Sequence, residues 1–436
     1  MTLHRRDFLL AGAAGLAGLV RPAWAGKGRA CPRVVVVGAG YGGASFARHL
    51  KLWAPQAHVT VVEPQPDFVS CPYSNTVVGG LNRLQDITFP YTWLKAAVDR
   101  FVADRVDGVD PRRRTVHTVG GLTLPYDRLV LSAGVELMFD RVAGYDAAAQ
   151  RTIKHAWKAG PDQTGVLRRQ LEAMPDGGVF VITIPVQPFR CPPAPYERAS
   201  LVANYFRRAK PRSKIIILDG NPDIVSKKAL FLAAWKKHYG YGTDASLIDY
   251  RPNSLVVSVD AKAMRVATEF DEAQGDVINL VPPMRAAAVT HLAGARTGED
   301  GTWCPVDYHT CESTEVPNVH ILGDSISSNL SKAGALANNT GKLCASALAD
   351  IFRGRAPDPA PVLTSTCYSA TTDRHAVHVA TVFRYNPKEN LMEVQPGSGL
   401  SEAESEAEFS FMGGWARNIW ADTLGLPMGY RFTNRV

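Results

Sequence analysis

Apolar residues gather in a strand-length run at Arg33 to Val37. Glycines follow at 38, 40 and 43, and then a segment with helical spacing, within RVVVVGAGYGGASFARHL. Strand, tight turn and helix in that order predict the opening of a dinucleotide-type α/β fold. A second apolar strand, His58 to Val62, comes next. Phe101 to Thr118 and Leu122 to Ser132 read as strands of a small sheet, the latter running into Ser132-Ala133-Gly134. The alternation then restarts. Gly178 to Pro185 predicts a buried strand, Tyr196 to Lys210 a helix and Lys214 to Asp219 another strand, while Asp276 to Pro282 leads back towards the first unit. His320 to Asp324 and a helix from about Lys332 to Phe352 complete that unit. A proline-rich break, Ala356 to Pro361, precedes a last segment of about eighty residues with its own aromatic content.

Composition narrows the class. The 436 residues are 46% hydrophobic with a formal charge of +7, which suits a multidomain globular protein of two or three domains. The beginning of the chain reads as an address. The paired Arg5-Arg6 precedes an apolar run to Val20 and a small-x-small site at Ala23-Trp24-Ala25, so residues 1–25 are expected to be a twin-arginine signal peptide removed after Ala25. That run is shorter than the ~20 residues a bilayer of roughly 30 Å requires. No transmembrane segment is expected, and the expected location is periplasmic, by the twin-arginine route. Residues 1–25 carry three arginines and one aspartate, so the mature chain keeps +5 of the +7. No dense basic stripe with interleaved aromatics occurs, which argues against nucleic acid as a partner. Arg112 to Arg114 reads as a solvated turn.

The candidate chemistry begins at the glycines. Gly38 permits the tight turn, Gly40 lets a pyrophosphate approach the backbone, and Gly43 lets the helix pack against the strand. Glu63 ends the second strand, where a carboxylate can accept hydrogen bonds from an adenosine ribose. Gly134 marks a turn of the kind that passes close to a flavin. Late in the chain, Gly323-Asp324 joins a strand to a helix, where an aspartate can hold a ribityl hydroxyl. Lys332 follows and could bring a positive charge near the flavin, although a solvated surface lysine is the ordinary expectation. Three separated contacts of this kind favour FAD over NAD. The second α/β unit lacks the matching glycine turn: after Val179 to Ile184 come five prolines between Pro185 and Pro195, with Cys191 among them. Proline removes backbone donors, so that turn is unsuited to a nucleotide phosphate.

Seven cysteines remain, at 31, 71, 191, 304, 311, 344 and 367. None forms C-x-x-C-H or C-x-x-C, so no haem on this chain and no metal site are expected. Cys304 and Cys311 stand close enough in sequence for a structural disulfide, and Cys344 lies in an apolar helix and reads as buried and inert.

These residues resemble one family along the mature chain: the flavoprotein (FAD) subunit of flavocytochrome c sulfide dehydrogenase, within the disulfide-reductase-like flavoproteins. The resemblance lies in VVVVGAGYGGA, in Ser70-Cys71-Pro72-Tyr73-Ser74-Asn75, in His155-Ala156-Trp157-Lys158-Ala159-Gly160, in Phe189 to Ala199 (FRCPPAPYERA), in Trp303-Cys304-Pro305-Val306-Asp307 and in Cys367-Tyr368-Ser369. Thr340 and Cys311 depart from it, standing where a glutamine and an aromatic residue are expected.

The resemblance implies an α/β fold with two Rossmann-like domains of the glutathione-reductase type and a C-terminal α+β interface domain. The FAD domain would comprise 32–145 and 286–356, a nicotinamide-like domain without nucleotide 146–285, and the interface domain 357–436. It also implies FAD held covalently through Cys71, a redox disulfide between Cys191 and Cys367, Glu197 as base or electrostatic tuner, and Trp415 near the flavin.

The implied activity is oxidation of hydrosulfide to zero-valent sulfur or polysulfide. Hydrosulfide would open the disulfide to a persulfide and a thiolate, and electrons would pass through FAD to a c-type cytochrome subunit in a heterodimer. Two alternatives stand beside it: a sulfide:quinone reductase-like enzyme, and a non-catalytic flavoprotein partner of a cytochrome. The segment Met412 to Met428, with Arg417, Asp422 and three glycines, is a poor membrane helix and argues against the quinone alternative.

Overall fold

The computed structural model describes residues 31–298 and 301–433, and the described residues from Pro32 onward form one compact unit. The expected signal peptide, 1–25, lies outside the described residues.

The first strand, Arg33–Val37, lies in the interior of a seven-stranded sheet. It pairs in parallel with His58–Val62 on one side and Arg128–Leu131 on the other. The order is completed by Arg100–Val102 beyond the first neighbour, and by Val319–Ile321, Glu312–Ser313 and Val306–Asp307 beyond the second. Val34 and Val36 enter one apolar cluster and Val35 and Val37 another. This period-two division shows why the run is continuously apolar: side chains alternate between two faces, and both faces are covered. Each fully buried valine contributes about 1.5–3 kcal/mol relative to exposure. The helix Tyr41–Trp53 covers one face and lies against the helix Gly334–Phe352. That approach needs glycine, because a Cβ on Gly341 would stand 2.4 Å from the carbonyl oxygen of Gly42.

The second sheet repeats the plan in parallel, in the order Ile248–Arg251, Lys214–Asp219, Val179–Ile184, Val277–Asn279. Its helix Ala194–Ala209 begins with Pro195 in its first turn, where the missing N–H costs nothing. Each sheet also carries a three-stranded antiparallel meander, Val106–Asp110 with Thr115–Thr118 and Thr123–Pro125, and Val256–Asp260 with Arg265–Thr268 and Glu272–Gln274. An antiparallel ribbon of Val135–Leu137 with Met284–Ala286 joins the two units. The last segment forms an antiparallel sheet from Val362–Ala370, Ala376–Asn386, Leu391–Val394 and Gly399–Leu400, followed by the helix Glu406–Leu424.

The expected α/β class, with its duplicated unit and separate C-terminal segment, is the observed one. One expectation is corrected. The two long strands read over 101–118 and 122–132 are five short ones, Arg100–Val102, Val106–Asp110, Thr115–Thr118, Thr123–Pro125 and Arg128–Leu131. The reason lies in the turns. Arg114 and Gly121 adopt φ of 55° and 83°, which an extended strand cannot contain, and the flanking strands leave to join the large sheet.

Candidate active site

The glycine turn has the geometry its spacing implies. Gly38 has a φ of 95°, and a Cβ on Gly43 would stand 1.9 Å from the Gly38 carbonyl oxygen, so strand, turn and helix interlock. At Gly40, by contrast, a Cβ would meet nothing within 4 Å, and this residue caps the N-terminus of the helix. The open approach to a helix N-terminus fits a dinucleotide phosphate. Glu63 is buried beside it. Its two oxygens accept from the N–H groups of Ala39 and Gln65, both at 2.8 Å, and burial raises its pKa against those two bonds.

Gly134 and Asp324 meet through Ser325, whose hydroxyl donates to the Gly134 carbonyl at 2.5 Å. Gly134 and Gly323 both take positive φ. Asp324 is 8% exposed and its Oδ1 has no hydrogen-bond partner among the described residues, as expected of an oxygen that receives a ligand hydroxyl. Burial raises its pKa, opposed by the charges of Arg190 and Lys332. Lys332 is not a solvated surface residue. It is buried, its Nζ donates to the carbonyls of Asp324 and Ile326 at 2.9 Å, and it lies 3.5 Å from the centroid of the Trp303 ring. Burial lowers its pKa to about 8, against the pull of Asp324 and Cys304. Glycine turn, buried acid and orphaned carboxylate oxygen together fit FAD.

The candidate reacting groups lie along one cavity. Cys71, Cys191 and Cys367 line it together with Glu197, Arg190, Arg198 and Trp415. The three cysteines come from the turn between the strand Asp67–Val69 and the helix Ser74–Val78, the proline-rich turn before the helix Ala194–Ala209, and the strand Val362–Ala370. Cys71, Cys191, Cys304, Cys311, Cys344 and Cys367 are free thiols in this structure. Burial raises the Cys191 pKa, and the Cys367 sulfur and Glu197 raise it further. Burial also raises Cys367, opposed chiefly by Lys227. A second cavity of about 290 Å³ has the same two cysteines in its wall, with Val225, Val379 and Phe383. The pair therefore stands between two cavities.

Glu197 lies in the first helical turn, as the sequence indicates, yet its surroundings are those of a core. It is 8% exposed, accepting at 2.7 Å from the Asn75 side chain and at 2.9 Å from the Ala370 N–H. Burial raises its pKa against these bonds and the charges of Lys227 and Arg198. Trp415, half-buried, stacks near Tyr368 with ring centroids 5.9 Å apart. The expected Cys304–Cys311 pair does not form. The two thiols sit in different apolar clusters, Cys304 bridged to Ile326 and Cys311 facing the Thr340 carbonyl at 3.9 Å. Cys344 is buried, as expected. The two departures from the family pattern, Cys311 and Thr340, thus touch each other.

Other buried polar residues had no separate signal in the sequence. Arg198 is 2% exposed and donates to Asn75 Oδ1 at 2.9 Å, Asn279 Oδ1 at 2.6 Å and the Ala156 carbonyl at 2.8 Å, with Trp157 4.9 Å from its guanidinium. It ties the Cys71 segment to the second sheet. His155 is held near a pKa of about 3 by burial and by the charges of Lys158, Arg190 and Arg198, so it is neutral and accepts from the Trp157 N–H. Lys227 reaches the Cys367 carbonyl. These residues lie far apart in the chain, and only their places in the quoted motifs could have drawn notice to Arg198 and His155. Among the described residues no metal-binding cluster occurs, and no helix is long and apolar enough to cross a membrane.

Known proteins resemble this chain in three segments. Residues 164–282 match the family described as sulfide dehydrogenase (flavocytochrome c) flavoprotein chain, central. Residues 359–424 match flavocytochrome c sulphide dehydrogenase, flavin-binding, and 32–166 match pyridine nucleotide-disulphide oxidoreductase. The sulfide dehydrogenase flavoprotein chain of Chlorobaculum thiosulfatiphilum is 58% identical over 45 residues, 10% of this chain and 94% of that one. Mitochondrial sulfide:quinone oxidoreductase of Mus musculus is 24% identical over 335 residues, 71% of this chain and 69% of the relative. The structure of sulfide:quinone oxidoreductase from Aquifex aeolicus superimposes with a TM-score of 0.70 at 17% identity, covering 90% of this chain and 92% of the other, which shows the shared fold. With its glycine turn, its three convergent cysteines and these matches, the chain belongs to the family of flavocytochrome c sulfide dehydrogenase flavoprotein chains.

Proposed function

We propose that this protein is a periplasmic sulfide dehydrogenase that oxidises hydrosulfide to zero-valent sulfur or polysulfide and passes the electrons to a c-type cytochrome subunit. The observation that carries the reading is the convergence of Cys71, Cys191 and Cys367 on one cavity from three distant segments. A structural role would not require three thiols to share a space that also holds a buried glutamate and two arginines.

In this reading FAD is bound covalently at Cys71 and supplies a two-electron acceptor that can release electrons singly. Gly38, Gly40 and Gly43 receive its phosphates, Glu63 its ribose, and Gly134, Gly323 and Asp324 its ribityl chain, with Lys332 and Trp415 beside the ring system. Cys191 and Cys367 form a disulfide when oxidised. Arg190 and Arg198 line the cavity and favour an anion, which is the form hydrosulfide takes. Glu197, raised by burial, can hold a proton near both sulfurs. The domains run as 32–145 with 286–356 for FAD, 146–285 without nucleotide, and 357–436 for the interface with the cytochrome in a heterodimer.

The cytochrome as acceptor is supported by the flavocytochrome c matches over 164–282 and 359–424. A second reading, reduction of a quinone, is favoured by the long match to the mouse sulfide:quinone oxidoreductase. An anaerobic absorption spectrum of the purified chain before and after sulfide tests the shared chemistry: bleaching of the flavin band is expected, and its absence would leave only a non-catalytic flavoprotein. Parallel assays with cytochrome c and a short-chain quinone separate the acceptors, with cytochrome c the one reduced.

A further inference from the structure

Lys227 stands outside every role assigned above. It precedes the helix Lys228–Tyr239 with a φ of 56°, a left-handed conformation that a lysine holds only where its neighbours impose it. It is 4% exposed, and its Nζ donates to the Cys367 carbonyl at 2.8 Å and to Ser369 Oγ at 2.9 Å. Side chains two apart leave a strand on the same face. An ammonium bonded to Ser369 Oγ therefore lies on the face that carries the Cys367 sulfur. Cys191 also holds a left-handed φ, of 58°, and is fixed by its N–H to the Lys332 carbonyl at 2.7 Å. Both sulfurs border both cavities, so access does not distinguish them. Charge does.

We propose that Lys227 is the positioning residue that makes Cys367 the thiolate of the reduced pair, and so the leaving sulfur when hydrosulfide attacks, with the persulfide left on Cys191. This rests on the disulfide chemistry of the proposed function. In the step, hydrosulfide attacks Cys191 Sγ and a new S–S bond forms there as the Cys191–Cys367 bond breaks. The electron pair of the broken bond departs on Cys367 Sγ beside Lys227, and the attacking sulfur keeps its proton. No further oxidant enters.

The charged groups around the pair agree. Besides Cys367 itself, Lys227 faces Glu197, Cys191 and Glu408; Cys367 also faces Glu197 and Asp324; Cys191 faces Glu197 and Arg190. Burial pushes both thiols up, and Lys227 is the strongest influence opposing it at Cys367. At Cys191 the neighbouring sulfur and Glu197 add to the burial, and Arg190 and Lys227 oppose it more weakly.

The test is alkylation of the reduced holoprotein with iodoacetamide across pH, read by peptide mass spectrometry. In wild type, Cys367 is expected to react several-fold faster than Cys191 near neutrality, because the thiolate and not the thiol is the nucleophile. Lys227→Met should bring the ratio to about one, while Lys227→Arg, which keeps the charge, should preserve it. Cys191 reacting first in wild type would overturn the assignment, whatever the variants do. So would an unchanged ratio in folded Lys227→Met, because a lysine that only straps the strand shifts the thermal midpoint and not the ratio. The measurement uses no sulfide, so a failure of the sulfide reading appears separately, as wild-type protein whose flavin sulfide does not reduce.

Discussion

Gly40→Ala and Gly43→Ala, three residues apart in one turn, should fail in different ways. At Gly43 the new Cβ would stand 1.9 Å from the Gly38 carbonyl oxygen, whereas ordinary van der Waals contact begins at 3.4 Å. The start of the helix would have to withdraw by roughly 1.5 Å from a strand buried on both faces, and overpacking of that kind costs about 1–3 kcal/mol. In a chain of this size that corresponds to a fall of roughly 1 °C in thermal midpoint for each kcal/mol.

Gly40 has φ −72° and ψ −164°, which alanine adopts freely, and nothing lies within 4 Å of its Cβ position. Replacing an N-cap glycine by alanine costs a few tenths to about 1 kcal/mol, and the stiffer unfolded chain returns about 0.4–1 kcal/mol. The protein without cofactor should therefore melt within about a degree of wild type. What the methyl group does fill is the space through which a pyrophosphate would approach the helix N-terminus. The assay is a thermal melt of the cofactor-free proteins, with flavin-to-protein absorbance ratios after incubation with FAD. Gly43→Ala should lose midpoint and flavin together, and Gly40→Ala flavin alone. Full flavin content in Gly40→Ala would refute the placing of the phosphate at this turn, and an unshifted midpoint in Gly43→Ala would refute the packing argument.

Cys71→Ser should fold and bind flavin that denaturant then releases, whereas wild type should keep the yellow colour in the precipitate; equal retention by both would end the covalent assignment. Cys191→Ser and Cys367→Ser should each abolish sulfide-dependent cytochrome c reduction with flavin content and midpoint near wild type. Near-normal turnover with a sharply lowered midpoint would reduce the pair to a structural staple. Lys332 has a folded pKa of about 8, below its ordinary value, so over the window from about pH 8 to 10 the unfolded chain holds a proton that the folded chain does not. Stability from this group should therefore rise with pH across that window, and the midpoint difference between wild type and Lys332→Met should move in favour of wild type; a difference that stays flat would contradict the burial of the ammonium.

Much of the fold could be read from the chain because its signals are local. The run Val34 to Val37 and the glycines after it specify strand, turn and helix through sterics within a dozen residues, and KIIILD at 214–219 appears as the strand its pattern predicts. Five prolines likewise mark the turn at 185–195 as unfit for a phosphate, whatever packs around it. Strand limits over 100–131 were less legible, because the turns that divide them depend on positive φ at single residues and on which sheet each piece joins.

The site divides in the same way. Gly38 and Gly43 act through their immediate neighbours, and the first turn of the helix at Ala194 already holds Glu197. That Glu197 is buried and raised, that Lys332 lies under Trp303 and not in water, and that Cys304 and Cys311 belong to different clusters follow only from contacts between distant segments. Composition carries no trace of them. Lys227 shows the difference most clearly: in sequence it is one of 48 basic residues, and only the folding of residues 362–370 against the start of its helix turns it into a buried cation beside Cys367. Desolvation and Coulomb energies depend on distance in space, and the order of residues along the chain determines that distance only after the chain has folded.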